Sequence, residues 1–163
     1  MGAIHRSQWI VAAAIGALAL GSWVWPVVAY RGGESEALNM DEGFFVILAV
    51  LTPPVVTLAA LGLATILAQA ARRRPLAKSA FNAGQVLTAV GAGLAVSRGI
   101  AAPSASLTAG QVMAIIVGAA VYFVVNNLLV ASVMVSLGTT WREFTSDLPI
   151  QVTLASAGAL VGV

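Results

Sequence analysis

QVMAIIVGAAVYFVVNNLLVASVMVSL, residues Gln111–Leu137, runs without a charged side chain. As a helix it would reach about 40 Å, longer than the ~30 Å hydrocarbon core of a bilayer. In lipid every backbone polar group must be paired internally, so only helices and closed barrels cross. Barrel strands are about 10 residues long and alternate apolar with polar; this stretch does not alternate. Three further stretches share its character, Trp9–Tyr30, Phe44–Ala71 and Ser79–Ser97, and a shorter one, Pro149–Val163, ends the chain. The pattern predicts an all-α, polytopic transmembrane helix bundle with five helices visible, the fifth truncated.

Composition agrees. The 163 residues are 60% hydrophobic and 9% charged, where a soluble domain carries about 25% charged residues. A mean hydropathy of +0.96 leaves a single integral membrane domain over residues 1–163, with the bilayer as its first partner. With no cysteine, disulfide frameworks, zinc–thiolate sites, iron–sulfur clusters and thiol nucleophiles are excluded. The first stretch reads as a retained helix. It is longer than the 7–15 apolar residues of a cleaved signal, and Trp23, Trp25 and Pro26 stand where small residues are needed.

The net charge of +2 reads as topology, with no nucleic-acid partner expected. With one helix per long stretch and the N-terminus cytoplasmic, Arg6, Arg72, Arg73, Arg74, Lys78 and Arg142 fall inside, and Arg31 and Arg98 outside. That distribution follows the positive-inside bias and predicts a multi-pass protein of the inner membrane. Glu34, Glu36, Asp41 and Glu42 then lie in a solvated external loop, and Trp9, Trp23, Trp25 and Tyr30 mark the two interfaces. From Pro149 the last stretch would reach only about 22 Å and leave a carboxylate in hydrocarbon. The expectation is an excerpt of a longer chain, with six or more helices in the whole protein.

Several residues interrupt the apolar pattern. Pro53 and Pro54, in the middle of Phe44–Ala71, each lack a donor and predict a packing kink or a hinge, with Thr52 and Thr57 beside them to take up freed groups. Asn82 and Gln85 are three apart on one helix face, and Tyr122 and Asn126 four apart on another. Amides facing lipid are costly, so these residues, with Asn127, are expected inside the bundle as interhelical hydrogen bonds or as a polar ligand cavity. Small residues recur four apart, as in Ala13, Ala17 and Gly21 or Ala89 and Gly93. They serve close packing or, as the alternative, a homodimer seam. The lone His5 has no partner ligand, and no nucleophile–base, metal or phosphate-loop motif occurs. Neither enzyme activity nor a cofactor is expected of this segment.

The stretches Lys78-Ser79-Ala80-Phe81-Asn82-Ala83-Gly84-Gln85 and Tyr122-Phe123-Val124-Val125-Asn126-Asn127 resemble the N-terminal multi-helix membrane region of bacterial signalling proteins that end in GGDEF or HD-GYP domains of cyclic-di-GMP signalling, or in a histidine kinase. There a basic loop enters a helix through F-N-x-x-Q and a later helix carries Y-F-x-x-N. The resemblance spans about residues 70–163. It implies a sensory or anchoring module that precedes a cytoplasmic output domain. The alternative is the substrate-binding membrane subunit of a vitamin or metal importer, which would show a coupling surface of small residues.

Overall fold

The computed structural model describes residues 5–31, 34–38, 41–102, 107–138, 140–141, 152–153 and 156. Among them the chain forms α1 (Arg6–Val24), β1 (Val27–Arg31), β2 (Glu34–Leu38), α2 (Asp41–Leu51), α3 (Pro54–Ala71), α4 (Leu76–Ile100) and α5 (Ala109–Ser136). The four helices α1, α3, α4 and α5 are long and apolar enough to cross a membrane. The helix expected over Pro149–Val163 lies outside the described residues, apart from helical Val152, Thr153 and Ser156.

The first correction concerns α1, which stops at Val24 instead of running to Tyr30. Pro26 cannot continue a helix, and it pushes the residue before it out of the helical region; Trp25 accordingly sits at φ −121°, ψ 72°. The β-branched and aromatic residues that follow favour extended backbone. Val27–Arg31 pairs antiparallel with Glu34–Leu38, from Val27 opposite Leu38 to Arg31 opposite Glu34. The sequence supplies Gly32-Gly33 between them, the composition that a two-residue hairpin connection favours. Among the described residues the fold is therefore helical with one hairpin. Glu42, expected in a solvated loop, is instead buried in the first turn of α2, where the positive end of the helix favours a carboxylate.

The second correction concerns Pro53 and Pro54, which break the expected single helix into α2 and α3 and reverse the chain. Side-chain neighbours fix the directions. Phe45 lies beside Gly93 and Tyr122, while Ala49 and Val50 share a small cavity with Ser97 and Arg98, so α2 runs parallel to α4. Gly62 meets Leu87, and only residues 72–75 separate α3 from α4, so that pair is antiparallel. Hence α2 and α3 run in opposite directions. Pro53, which precedes another proline, is held extended at φ −63°, ψ 152°. Two hydroxyls close the corner: Thr52 Oγ1 donates to the Leu48 carbonyl at 2.8 Å and lies 2.9 Å from Thr57 Oγ1. Both threonines are buried.

On the other side, Gly16 packs on Ala60 and Arg72 Nη1 donates to the Trp23 carbonyl at 3.2 Å. Both positions increase together, so α1 and α3 are parallel. Gly93 against Gly118 and Gln85 against Asn126 make α4 and α5 antiparallel. Thus α1, α3 and α5 run one way, α2 and α4 the other. Arg6 and the 72–78 turn therefore stand at opposite ends of the bundle, whereas the charge count had put them together. That count assumed one segment over Phe44–Ala71; there are two, and the extra reversal changes the end of everything before it.

The core is built where these helices meet. Phe45 and Tyr122 stack with ring centroids 5.1 Å apart, both fully buried with Leu48, Val56, Leu61 and Val90. A methyl group at Gly93 would stand 2.6 Å from the Gly118 carbonyl oxygen and 2.8 Å from Phe45 Cζ. Only glycines let α4 and α5 approach this closely. The start of α5 is set by Thr108, whose Oγ1 accepts from Gln111 N at 3.3 Å while its own N–H donates to Gln111 Oε1 at 3.0 Å. This reciprocal cap follows from the Thr-x-x-Gln spacing.

Candidate functional site

Above the glycine crossing, towards the 72–75 turn, the helices part around a cavity of about 270 Å³. Two polar stripes face it. Thr65 and Gln69 on α3, Arg72 at its C-terminal cap, and Lys78, Asn82 and Gln85 on α4 all border the cavity. Each set has the four-then-three spacing of a single helix face. Because the helices are antiparallel, the two cations meet at the mouth, while Thr65 and Gln85 lie deeper. Trp23 of α1, Val86 of α4 and Val130 of α5 complete the wall, and Arg74 adds a third cation.

The mouth is shaped by an unusual turn. Arg73 adopts φ 51°, the left-handed region that ordinary residues enter at a cost of about 1–2 kcal/mol. It does so because α3 ends in a paired turn: Arg73 N donates to the Ala70 carbonyl at 3.0 Å and Arg74 N to the Gln69 carbonyl at 3.1 Å. This is the helix-ending arrangement in which glycine ordinarily holds the left-handed position. Here arginine holds it, and the chain turns Arg74 back over the cavity. Arg72 does further work at the end of α1, which has no basic residue in its last turn. Its guanidinium meets the Trp23 carbonyl, one of the carbonyls that a helix C-terminus leaves unpaired.

Deeper in, Gln85 Nε2 donates to Asn126 Oδ1 at 2.7 Å and ties α4 to α5. Thr65 Oγ1 is engaged with the Leu61 carbonyl of its own helix at 2.8 Å. Gln69 Oε1 is buried with no hydrogen-bond partner. An acceptor left so in the interior costs about 1–3 kcal/mol, unless something in the cavity donates to it.

Of the residues singled out from sequence, Asn82 and Gln85 border the cavity and Asn126 reaches it through Gln85. Tyr122 does not line it; its ring belongs to the core, stacked on Phe45. A four-residue spacing puts Tyr122 and Asn126 on one face but a turn apart in depth, and the cavity closes between them. Asn127 Nδ2 donates to the Phe123 carbonyl of its own helix at 2.9 Å. Pro53 and Pro54 stand at the α2–α3 corner, away from the cavity. Sequence reading missed Gln69, Arg72, Arg74 and Lys78 as cavity residues. The signal was present in Thr65-x-x-x-Gln69-x-x-Arg72, a polar stripe in an otherwise apolar helix, facing Lys78-x-x-x-Asn82-x-x-Gln85.

A second depression lies along α1 and α3. It is an apolar groove of about 280 Å³ bordered by small residues, among them Ala13, Gly16, Ala17, Ala59 and Ala60, with Trp9 at one end. No protein-family model, curated protein or solved structure matches this chain.

Proposed function

We propose that the chain is a multi-pass module of the bacterial inner membrane that serves a cytoplasmic signalling output domain as sensor and anchor, with the polar cavity as its ligand site. The observation that carries this reading is the cavity itself. Residues of α1, α3, α4 and α5 meet there, so an occupant touches four helices at once, and a bound ligand shifts a bundle only by contacting its states differently. The Phe-Asn-x-x-Gln and Tyr-Phe-x-x-Asn stretches, whose resemblance suggests a signalling module, contribute Asn82, Gln85 and Asn126 to this region.

The helix directions support one orientation. Arg72, Arg73, Arg74 and Lys78 gather at one end, and Arg6 and Arg98 at the other. The positive-inside bias assigns the cavity end to the cytoplasm and the N-terminus to the outside, the reverse of the orientation expected when the 44–71 stretch is counted as one helix. A cysteine introduced at Ala77 should resist an impermeant thiol reagent in intact cells, while one at Ser7 should react. The reverse labelling would overturn the orientation.

The sensing role is tested in the full-length protein by Gln85→Ala and Asn126→Ala, with the output domain assayed over a panel of stimuli. Both variants should reach the membrane at wild-type levels with a reduced stimulus response. If both respond as wild type does, sensing fails and anchoring remains. The groove of small residues on α1 and α3 favours one second reading, a substrate-binding importer subunit, since such a face suits a partner transporter. Co-purification of a transporter ATPase complex from its own host would establish that reading over the first.

A further inference from the structure

We infer that the cavity between α3 and α4 binds a small phosphate ester that carries a free hydroxyl, through Arg72, Arg74 and Lys78 at the mouth and Gln69 deeper in. This rests on the reading of the cavity as the ligand site and names the class of its occupant.

Three features lead there. The first is sign: three cations border one cavity, and none of the described residues of its lining is a carboxylate. An anion that brings its own charge relieves their mutual repulsion, and arginine forks match phosphate oxygens in pairs. The second is the buried Gln69 Oε1 without a partner. It is an acceptor, so an anion without a proton does not satisfy it, whereas a ligand that also presents an O–H or N–H does. Gln69 and the cap residue Arg72 are three apart, about one turn at the end of α3, so charge and donor lie close together on a ligand that meets both. A phosphate with a neighbouring hydroxyl has that shape. The third is size. About 270 Å³ lies just below the roughly 300–1,000 Å³ range of drug-sized sites, which suits a headgroup-sized molecule. Two sources carry this chemistry, a soluble phosphorylated polyol and the headgroup of a hydroxyl-bearing anionic phospholipid.

The test uses the whole chain in phosphatidylcholine nanodiscs. Trp23 borders the cavity, and Trp9, Trp25 and Trp141 are exposed, so Trp9→Phe, Trp25→Phe and Trp141→Phe leave one reporter. Titration with glycerol 3-phosphate should change Trp23 emission saturably, and titration with glycerol or with chloride at equal ionic strength should not. The Arg74→Gln, Lys78→Gln double variant should bind at least about tenfold more weakly, the scale of a lost charge-assisted hydrogen bond. Lys78→Arg should retain binding, which separates lost charge from lost fold, and Gln69→Leu should reduce the preference for glycerol 3-phosphate over inorganic phosphate. If the source is lipid, the soluble titration is flat. Native mass spectrometry should then show phosphatidylglycerol retained over phosphatidylcholine, and the double variant should lose it.

Chloride acting as well as the ester, binding undiminished in the double variant, or no response in either arm would overturn the inference. The two levels separate cleanly. Ester binding with an unchanged output response in Gln85→Ala removes sensing and leaves this site. A lost output response without ester binding keeps the sensor and removes the ligand.

Discussion

The same two helices, α4 and α5, meet in opposite ways at two heights. At Gly93 and Gly118 there is no space for even a methyl group, and Phe45 and Tyr122 seal the contact. About two turns away, at Gln85 and Asn126, the pair is joined by one amide–amide bond beside an open cavity. Close packing and open space are thereby separated along one helix pair. Dispersion between close backbones holds the bundle at the glycines, which leaves the polar end free to keep unfilled space and an unpaired acceptor. In a bilayer no hydrophobic force drives helices together, so packing of this kind carries the association.

The largest expected effect follows from the closed crossing. Gly93→Ala places a methyl group 2.6 Å from a backbone oxygen, where neither helix can yield without losing the other contacts. Such overpacking costs about 1–3 kcal/mol, read from unfolding in micelles. Gly84→Ala, one residue from Gln85, is the counterpart at the open end. Nothing lies within 4 Å of the new methyl, and alanine is favoured over glycine in a helix by up to about 1 kcal/mol, so this variant should be neutral or more stable. Equal effects at the two glycines would contradict the contrast between the two heights.

How much of this was legible in the sequence differs between the same levels. The helical class was readable because hydrocarbon admits so few structures, and Gln85 with Asn126 because an amide has nowhere to go in a bundle except inward. The end of α1 was misread, since the apolar content of the stretch carried the expected helix to Tyr30; its signal was Pro26, then Val27, Val28 and Tyr30, then Gly32-Gly33, a helix stop followed by hairpin composition. The reversal at Pro53-Pro54 was not readable. An apolar run looks the same whether a proline pair bends it or folds it back, and the difference lies in what Phe45, Ala49 and Val50 pack against. The charge allocation rests on the same single-helix reading, since a charge count depends on the number of crossings. Arg72, Arg74 and Lys78 looked like topology marks because a sequence does not show that Arg73 turns left-handed and aims the chain back over the cavity.

That turn yields a smaller effect of opposite sign. Arg73 is not a cavity-lining residue, and its φ of 51° is a conformation glycine adopts freely. Arg73→Gly should therefore stabilise the protein, by about 0.5–1 kcal/mol once the greater freedom of glycine in the unfolded chain is counted against the relieved strain. Arg73→Val, β-branched and poorly suited to this region, should destabilise it. If glycine does not raise the midpoint of thermal unfolding, the left-handed turn is not a source of strain.

The smallest expected effect tests the open end directly. Gln85 and Asn126 exchange a bond at 2.7 Å, short enough to suggest a strong interaction, yet each is only partly buried and the cavity beside Gln85 opens at a charged mouth. When one partner is removed, the other amide can turn to water, so the penalty of a buried orphan group is avoided. Interhelical polar pairs in membrane proteins couple on average by about 0.6 kcal/mol and at most by about 1.7 kcal/mol. A double-mutant cycle with Gln85→Leu and Asn126→Leu, read from unfolding in the same micelles, should fall near the lower figure. A coupling above the upper figure would mean that the amides are sealed from water as tightly as the glycine crossing is sealed from methyl groups, and the distinction between a closed middle and an open polar end would be lost.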